Sequence, residues 1–503
     1  MAARGSVPSI PSGKAMPSMP LVPSSFLPTA PHPKTTPDID FETELRPCII
    51  KGKESQVKAL LDQLTECRRT AVMTLDPTRT VVSQDAIITD AVKYLGLVKG
   101  FRGLSTAVPA PSASGAGASE EKKEESSSKD ERVPALASLG DGTKTNAAGG
   151  DEAADSSSAT GKKKGTVELK AKSSSADDGS LRRMMPFLWR DLGDSDGASF
   201  RMGDTMLEEA SVMVAMAQVL LQKAKSEVLN ESSMLDIFHS LRKAAGAVEA
   251  ALNVVREANA PGDEVPDDLK ANMIDTLMQI SMAQAQHVTI RKAQMQVGKN
   301  AAITHNLIAR ICHDTAERYK AMERIVARLV GNPKKPNNVA KYFVAHMRYK
   351  QLYFLGMGYS MLGMQRIGQD DDVGCASGIR NLMTATDCFD KAQVAANAFC
   401  DSARTIVYVD TGMINMQLDE CRGMVQGVLD KAKKSNETVF FKPIPDKPDA
   451  LPDRMSNIRQ EALVEIGVNP LWTEAMYACF DPSKAPDLGI GKVPDEIDCC
   501  PVS

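Results

Sequence analysis

The stretch Met206–Leu229, MLEEASVMVAMAQVLLQKAKSEVL, decides the fold. Its apolar positions Leu207, Ala210, Val214, Ala217 and Leu221 recur at intervals of three and four, the spacing of one face of an α-helix. The pattern then repeats down the chain. Ser232 and Ser233 are candidate N-caps for a second helix striped by Leu235, Phe238, Leu241, Ala245, Val248, Leu252 and Val255, which stops before Pro261-Gly262. Pro266 suits a first helical turn, and Leu269, Ile274, Leu277, Ile280 and Ala283 continue the periodicity. A long segment from about Ala301 to Val330 carries Ile303, Leu307, Ile311, Ala316, Tyr319, Met322, Ile325 and Leu329, and ends at Gly331-Asn332-Pro333. Two or three further helices fit between Val339 and Lys434. Long helices joined by short breaks predict an all-α solenoid or extended bundle, although no strict repeat of about 34 residues is present.

The chain has 503 residues, and hydrophobic residues make up 43% of them but aromatics only 5%, with 26 Met. That palette suits packed helices better than strands. Sixty Lys and Arg against 64 Asp and Glu leave a charge of −4, without the basic excess of a nucleic-acid binder. No stretch approaches the ~20 apolar residues of a membrane span. Ten Cys at this length are too sparse for a disulfide framework.

Two segments stand apart by composition. Residues 1–37 hold nine prolines and no acid, and read as a disordered leader. Residues 104–180 are rich in Ser, Ala, Gly, Lys and Glu, too polar to offset an ordering cost of ~1–2 kcal/mol per residue, and read as a disordered insertion into a domain spanning 38–498. After Lys434 the sequence changes again. Val439-Phe440-Phe441-Lys442-Pro443-Ile444-Pro445 and the segments around Pro470 and Pro482 predict an extended, Pro-rich arm held by Phe440, Phe441, Trp472 and Phe480.

Enzymatic constellations are not found. His305 and His313 lie eight apart, too far for an i,i+4 metal pair. Gly356, Gly358 and Gly363 lack dinucleotide-loop spacing and read as small residues that let two helices approach. Asp370-Asp371-Asp372 reads as a polar loop, and Cys312, Cys375, Cys388, Cys400 and Cys421, without CxxC spacing, as core residues. The reading is therefore of no catalytic residues, no metal site and no cofactor.

The last four residues do carry chemistry. Cys500-Pro501-Val502-Ser503 fits a prenylation box, whose terminal Ser favours farnesyl on Cys500. A single chain binds membranes marginally, and the acidic Asp495, Glu496 and Asp498 exclude a polybasic second signal, so palmitoyl on Cys499 or a membrane-bound partner would have to supply it. Residues 499–503 thus form the lipidation tail.

Several of these segments together resemble the Bro domain family of the ALIX and BROX type. Phe187-Leu188-Trp189-Arg190-Asp191 is similar to its aromatic-Trp-basic-Asp element, Leu277–Ala293 to its most recognisable helix, Lys341–Tyr359 to its later aromatic helix, and Asn436–Pro445 to its Asn-aromatic-Pro arm. Trp472–Pro486 and the terminal box resemble the prenylated BROX subgroup. The resemblance implies an elongated, banana- or boomerang-shaped domain of long antiparallel, TPR-like helices. It also implies a non-enzymatic, membrane-tethered adaptor in endosomal sorting that binds the C-terminal amphipathic helix of ESCRT-III subunits, of the Snf-type charged multivesicular body proteins. Carried over by position, the partner patch involves Thr289, Ile308 and Cys312, with Leu307 and Ile311 nearby; the alternative for Ile308 and Cys312 is burial between helices. Thr289 stands where the ALIX type has an aromatic, and Phe440 replaces a tyrosine, which excludes tyrosine phosphorylation there. The expected location is cytoplasmic and peripheral to endosomal or nuclear-envelope membranes. The competing reading is a soluble helical scaffold for signalling or pH-response components without ESCRT-III affinity.

Overall fold

The structure, a computed structural model, describes residues 34–76, 83–103, 181–190, 199–226, 231–328, 338–369, 371–404, 411–456 and 458–493. The chain divides into two units, residues 1–106 with 180–503 and residues 107–179. All of the second lies outside the described residues, so the insertion expected at 104–180 is not described, nor is the tail at 499–503.

Helices build the first unit: α1 Phe41–Leu45, α2 Glu54–Thr74, α3 Gln84–Lys99, α4 Thr205–Ser226, α5 Met234–Ala258, α6 Ala271–Gln296, α7 His305–Ala327, α8 Asn338–Ile367, α9 Asp372–Ala403 and α10 Thr411–Ser435. From α2 onward each packs on its neighbour in sequence, α4 on α3 across the insertion. Local chemistry sets several starts. Ser83, Thr304 and Asp371 accept hydrogen bonds from the amides of Ala86, Leu307 and Gly374, capping α3, α7 and α9. Ser233 occupies the expected position before α5 but makes no capping bond, and Asn259, left-handed at φ 47°, ends that helix. Of the expected α5 stripe, Leu241, Ala245, Val248 and Leu252 are buried, whereas Leu235 in the first turn is exposed. Glycines do close the α8–α9 seam. A Cβ on Gly356 would lie 2.9 Å from the Phe389 ring, and one on Gly363 2.8 Å from Leu382.

Two features depart from expectation. The all-α expectation left no place for a sheet, yet β1 Phe187–Arg190 pairs antiparallel with β2 Ser199–Met202, and β2 with β3 Gly491–Val493, so the end of the arm closes a small sheet. Phe187, Trp189, Phe200 and Met202 alternate inward. The leader boundary also moves, because Lys34–Pro37 belong to the fold. The Lys34 ammonium pairs with Asp268 at 2.7 Å, both side chains fully buried, and lies over the Trp189 ring. Arg68 donates to the carbonyl of Pro37 and the hydroxyl of Thr36, each at 2.6 Å, and to buried Glu208 at 3.2 Å. Glu208 also accepts from Tyr94 OH at 2.8 Å and from the Trp189 indole, so one carboxylate joins α2, α3, α4 and β1.

The arm visits the helices in reverse order. A π-helical turn, Asn436–Phe440, ends α10, so the extended path begins after Phe441 rather than at Val439. Asp449 then accepts from Arg366, Ser377 and Asn381 of α8 and α9. Burial raises the Asp449 carboxyl, but those three donors outweigh it and hold the group below its ordinary range. Residues 452–456 meet α7 and α6, residues 459–461 meet α5, and Ile466 and Asn469 meet α3. Trp472 anchors the far end: its indole donates to the Leu97 carbonyl at 2.8 Å and meets Phe101 edge to face. Phe480 is buried beside it, whereas Phe440 is only half-buried and Phe441 is exposed. Phe440 still packs against the core from its half-buried position, whereas Phe441 is not the fastening it was expected to be, because the turn that ends α10 leaves it in solvent.

Candidate functional site

The expected partner patch lies on α6 and α7, whose pairing is explicit. Arg318 Nη1 donates to Gln279 Oε1 at 2.7 Å, Gln284 Nε2 to Tyr319 OH at 3.0 Å, Gln286 Nε2 to Asp314 Oδ2 at 2.6 Å, and Thr315 Oγ1 to Gln286 Oε1 at 3.2 Å. Rising numbers on one helix meet falling numbers on the other, so the pair is antiparallel. Continuing that register by a turn sets Thr289 opposite Ile311 and Cys312, with Leu307 a turn beyond.

Exposure sorts these five residues. Thr289 and Leu307 are half-buried, and Ile311 is nearly covered. Ile308 and Cys312 are completely buried, at 0% exposure each. Cys312 Cβ lies 3.6 Å from where a Cβ on Gly358 would stand, so this edge of α7 is spent on α8. Burial raises the Cys312 thiol, as befits an inert core cysteine. Ile308 and Cys312 therefore do not form an open patch. Thr289 Oγ1 donates to the Ala285 carbonyl at 3.2 Å, which occupies its hydroxyl within its own helix.

The arm limits what stays open. Arg310 Nε donates to the Asp453 carbonyl at 3.0 Å, His313 Nδ1 lies 2.8 Å from the Pro452 carbonyl, and Ser456 Oγ accepts from Arg318 at 2.8 Å. The arm thus crosses the pair between Arg310 and Arg318. Beyond the crossing, Thr289, Lys292 and Gln296 share one face of α6, with Met295 and Leu307 also half-buried. Sequence reasoning missed the arm clamps Arg242, Arg310 and Arg318. Nothing local marks them, since an arginine on a polar helix face looks the same whether it faces water or a backbone carbonyl. His313, set aside above as a metal ligand, fastens the arm.

Beneath α7, a second cluster joins α6, α8 and α10. Lys350 is fully buried, its ammonium 5.1 Å from the Tyr349 ring centroid and 5.8 Å from that of Tyr353. Burial lowers its pKa to about 7, and burial likewise holds His287 well below its ordinary value. Shifted groups of this kind often mark catalytic sites. The adjoining cavity, lined by His287, Ile290, Arg291, Gln294, Tyr353, Phe354 and Met357, has room for no more than about one water molecule. It cannot hold a metabolite. Among the described residues, no three His, Cys, Asp or Glu side chains are grouped to hold a metal ion, and no helix is long and apolar enough to cross a membrane. Asp371 caps α9 and Asp372 pairs with Lys442 at 2.9 Å, while Asp370 lies outside the described residues.

Comparison with known proteins gives this geometry a family. The sequence profile of the BRO1-like domain matches residues 168–469, more than half of the chain. The chain belongs to that family. Among curated BRO1 domain-containing proteins, it is 25% identical to BROX of Danio rerio over 317 residues, covering 60% of this chain and 72% of the relative. It is 23% identical to BROX of Mus musculus over 325 residues, covering 62% and 74%. The fold is likewise that of solved Bro1 domains. The ALIX BRO1 domain in its complex with CHMP4C superposes with a TM-score of 0.55 at 14% identity, over 86% of this chain and 94% of that one. A Bro1 domain described as a basis for endosomal targeting superposes with a TM-score of 0.54 at 11% identity, over 88% and 96%. This chain is thus an all-α Bro domain of the BROX-like type, and the first two strands of its small sheet lie within the matched residues. The lipidation candidates Cys499 and Cys500 lie outside the described residues.

Proposed function

We propose that this Bro domain is a non-enzymatic adaptor that receives the C-terminal amphipathic helix of an ESCRT-III subunit at the open end of the α6–α7 pair. The observation that carries the reading is the strip of Thr289 and Leu307, half-buried on α6 and α7 beyond the point where the arm crosses the pair, with exposed Lys292 a turn along from Thr289. A helix laid across it would place apolar residues at i, i+3 and i+4 against the strip, the usual form of helix-in-groove recognition. The ALIX domain that shares this fold has been seen with CHMP4C, which supports an ESCRT-III partner. Ile311 would floor the site, with Ile308 and Cys312 supporting it from within rather than touching the partner.

The deciding experiment is a titration of fluorescent CHMP4-type C-terminal peptides against the full chain. Leu307→Asp should weaken binding at least tenfold, about 1.4 kcal/mol, with unchanged helicity. Ile308→Asp is the wrong variant, since a carboxylate at a fully buried position would unfold the domain whatever the site does. Equal affinity of Leu307→Asp and wild type would reject the site, and no binding of any ESCRT-III tail would reject the function. The adaptor is further proposed to be a cytoplasmic protein held at endosomal or nuclear-envelope membranes by farnesyl on Cys500, with palmitoyl on Cys499 as second chain. Cys500→Ser should then move the protein from membrane to cytosolic fractions.

A further inference from the structure

The small cavity between α6 and α8 is walled by hydrogen-bond donors that lack acceptors. Arg291 Nη1 and Gln294 Nε2, a turn apart on α6, belong to residues that line it; both atoms are buried, and neither has a hydrogen-bond partner. Gln294 as a whole is only 7% exposed. The fully buried Lys350 ammonium is likewise without a hydrogen-bond partner, and it lies 5.8 Å from the centroid of the Tyr353 ring in the same wall. A buried donor without an acceptor is costly, and a buried cation without a counter-charge more so.

The surroundings supply no negative charge to match. His287, in the same wall, is held neutral by burial and by the nearby Lys350 and Arg291 charges. Burial raises the Tyr353 phenol and the Cys421 thiol of α10, so both stay protonated. Glu420, the carboxylate that acts on Arg291, is exposed, and among the described residues it forms no ion pair with it. A water could accept from Arg291 and Gln294, but it would leave the charge unbalanced; an anion answers both needs. Size then selects the anion. Room for about one water molecule admits a monatomic ion and shuts out phosphate, sulfate and carboxylates. The remaining walls, Ile290, Phe354 and Met357, are apolar and suit an ion that sheds its water readily. We propose that this cavity is a binding site for a halide ion, chloride being the abundant one, held by Arg291 and Gln294 with the Lys350 charge behind them. The site stands whether or not the outer face of α6 receives a partner.

The test compares the full chain in sodium chloride, sodium bromide and sodium gluconate at equal ionic strength, gluconate being too large for the cavity. The melting temperature should rise with halide and level off, by about 1–3 °C at ten times the dissociation constant. The protein should also broaden the chlorine NMR resonance, and excess bromide should reverse that broadening. In gluconate Lys350 keeps the lowered pKa given above, and in chloride it should move up. Arg291→Met should abolish the halide dependence of both readouts, and Gln294→Leu should weaken halide binding at least several-fold, whereas Arg256→Met, at an exposed position on α5, should leave it intact. Identical melting in all three salts without chlorine broadening would mean that the cavity takes water only, and overturns the proposal. So does a halide dependence that survives Arg291→Met or Gln294→Leu unchanged, because the ion would then bind elsewhere.

Discussion

Gly246→Ala tests the docking of the arm, because two physical effects predict opposite signs. Gly246 sits in the interior of α5, where alanine is favoured over glycine by about 1 kcal/mol. The arm, however, passes directly over it. A Cβ there would lie 2.8 Å from the carbonyl carbon of Glu461 and closer still to its oxygen, and that neighbour is backbone rather than a side chain that can turn aside. Overpacking of this kind costs ~1–3 kcal/mol if the arm stays in place. The alternative is for residues 459–461 to lift off. That would give up the Glu461 amide to Arg242 carbonyl bond at 3.1 Å, Arg242 Nε to the Arg459 carbonyl at 2.7 Å, and Gln460 to Glu249 at 2.6 Å. At ~0.5–1.5 kcal/mol each, the three bonds put the cost of lifting off at about 1.5–4.5 kcal/mol, with a midpoint near 3. Subtracting the helix gain leaves a net loss of about 1–2 kcal/mol. Urea unfolding should show a lower midpoint, and hydrogen exchange should show faster exchange at the Glu461 amide. A variant more stable than wild type would mean that helix propensity governs and that the arm does not lie over Gly246 of α5.

Other consequences concern buried charge. Glu208→Ala leaves the Arg68 guanidinium buried and robs Tyr94 and Trp189 of their shared acceptor, so a loss of about 3–5 kcal/mol is expected in denaturant unfolding. Lys350→Met should stabilise the protein at neutral pH. The folded pKa of Lys350, about 7, lies below its ordinary 10.5. Between those values the unfolded chain holds a proton that the folded chain lacks, so the lysine's penalty is full below pH 7 and shrinks as pH rises. The stability gap between Lys350→Met and wild type should narrow by roughly 2 kcal/mol from pH 6.5 to 8.5. Comparing the two proteins is necessary because burial also raises the thiols of Cys312, Cys388 and Cys421, which removes stability as pH climbs past the ordinary thiol range in both. A constant gap would refute the shift.

What was legible in the sequence follows from the range of the interactions involved. The helices from Thr205 to Ala327 could be read because a 3.6-residue period is a local signal, with Pro261-Gly262 and Pro266 marking one break, whereas Thr304 as cap and Asn259 as stop show only in the structure. The glycines of α8 could be read for the same reason, as could the prolines that make the arm extended. Pairings across long separations could not. Lys34 finds Asp268, 234 residues away, and Arg68 finds Glu208, 140 residues away; nothing near Lys34 distinguishes it from the rest of a Pro-rich leader. The small sheet escaped because its strands are short and its third member arrives from residue 491. The patch was legible as a region but not as a surface. Ile308 and Cys312, four apart, look the same whether their stripe faces solvent or α8, and only the position of Gly358 decides it.

The arm explains why these pieces belong together. An array in which each helix packs mainly on its sequence neighbours buries each stripe but gives its two ends no contact with one another. The returning arm supplies the long-range term, and the manner of its binding accounts for its composition. Its carbonyls, at Pro452, Asp453, Arg459 and Ile466, accept from His313, Arg310, Arg242 and Lys99 on the helices. The arm also donates, through the amides of Asp449, Met455, Glu461 and Asn469, and its prolines fall at other positions, where no such bond is lost. The donors to its carbonyls are three cationic side chains and a histidine on the helix faces it crosses. The same crossing at Arg310 and Arg318 defines where the α6–α7 strip is covered and where it stays open, so loosening the arm should alter partner affinity even through residues that never touch the partner. Arg310→Met would test that coupling: it removes one clamp at the boundary of the open strip, and the peptide affinity should change while Leu307 and Thr289 remain untouched. Unaltered affinity alongside faster amide exchange at Met455, whose amide donates to the Arg310 carbonyl, would show that arm and strip act independently.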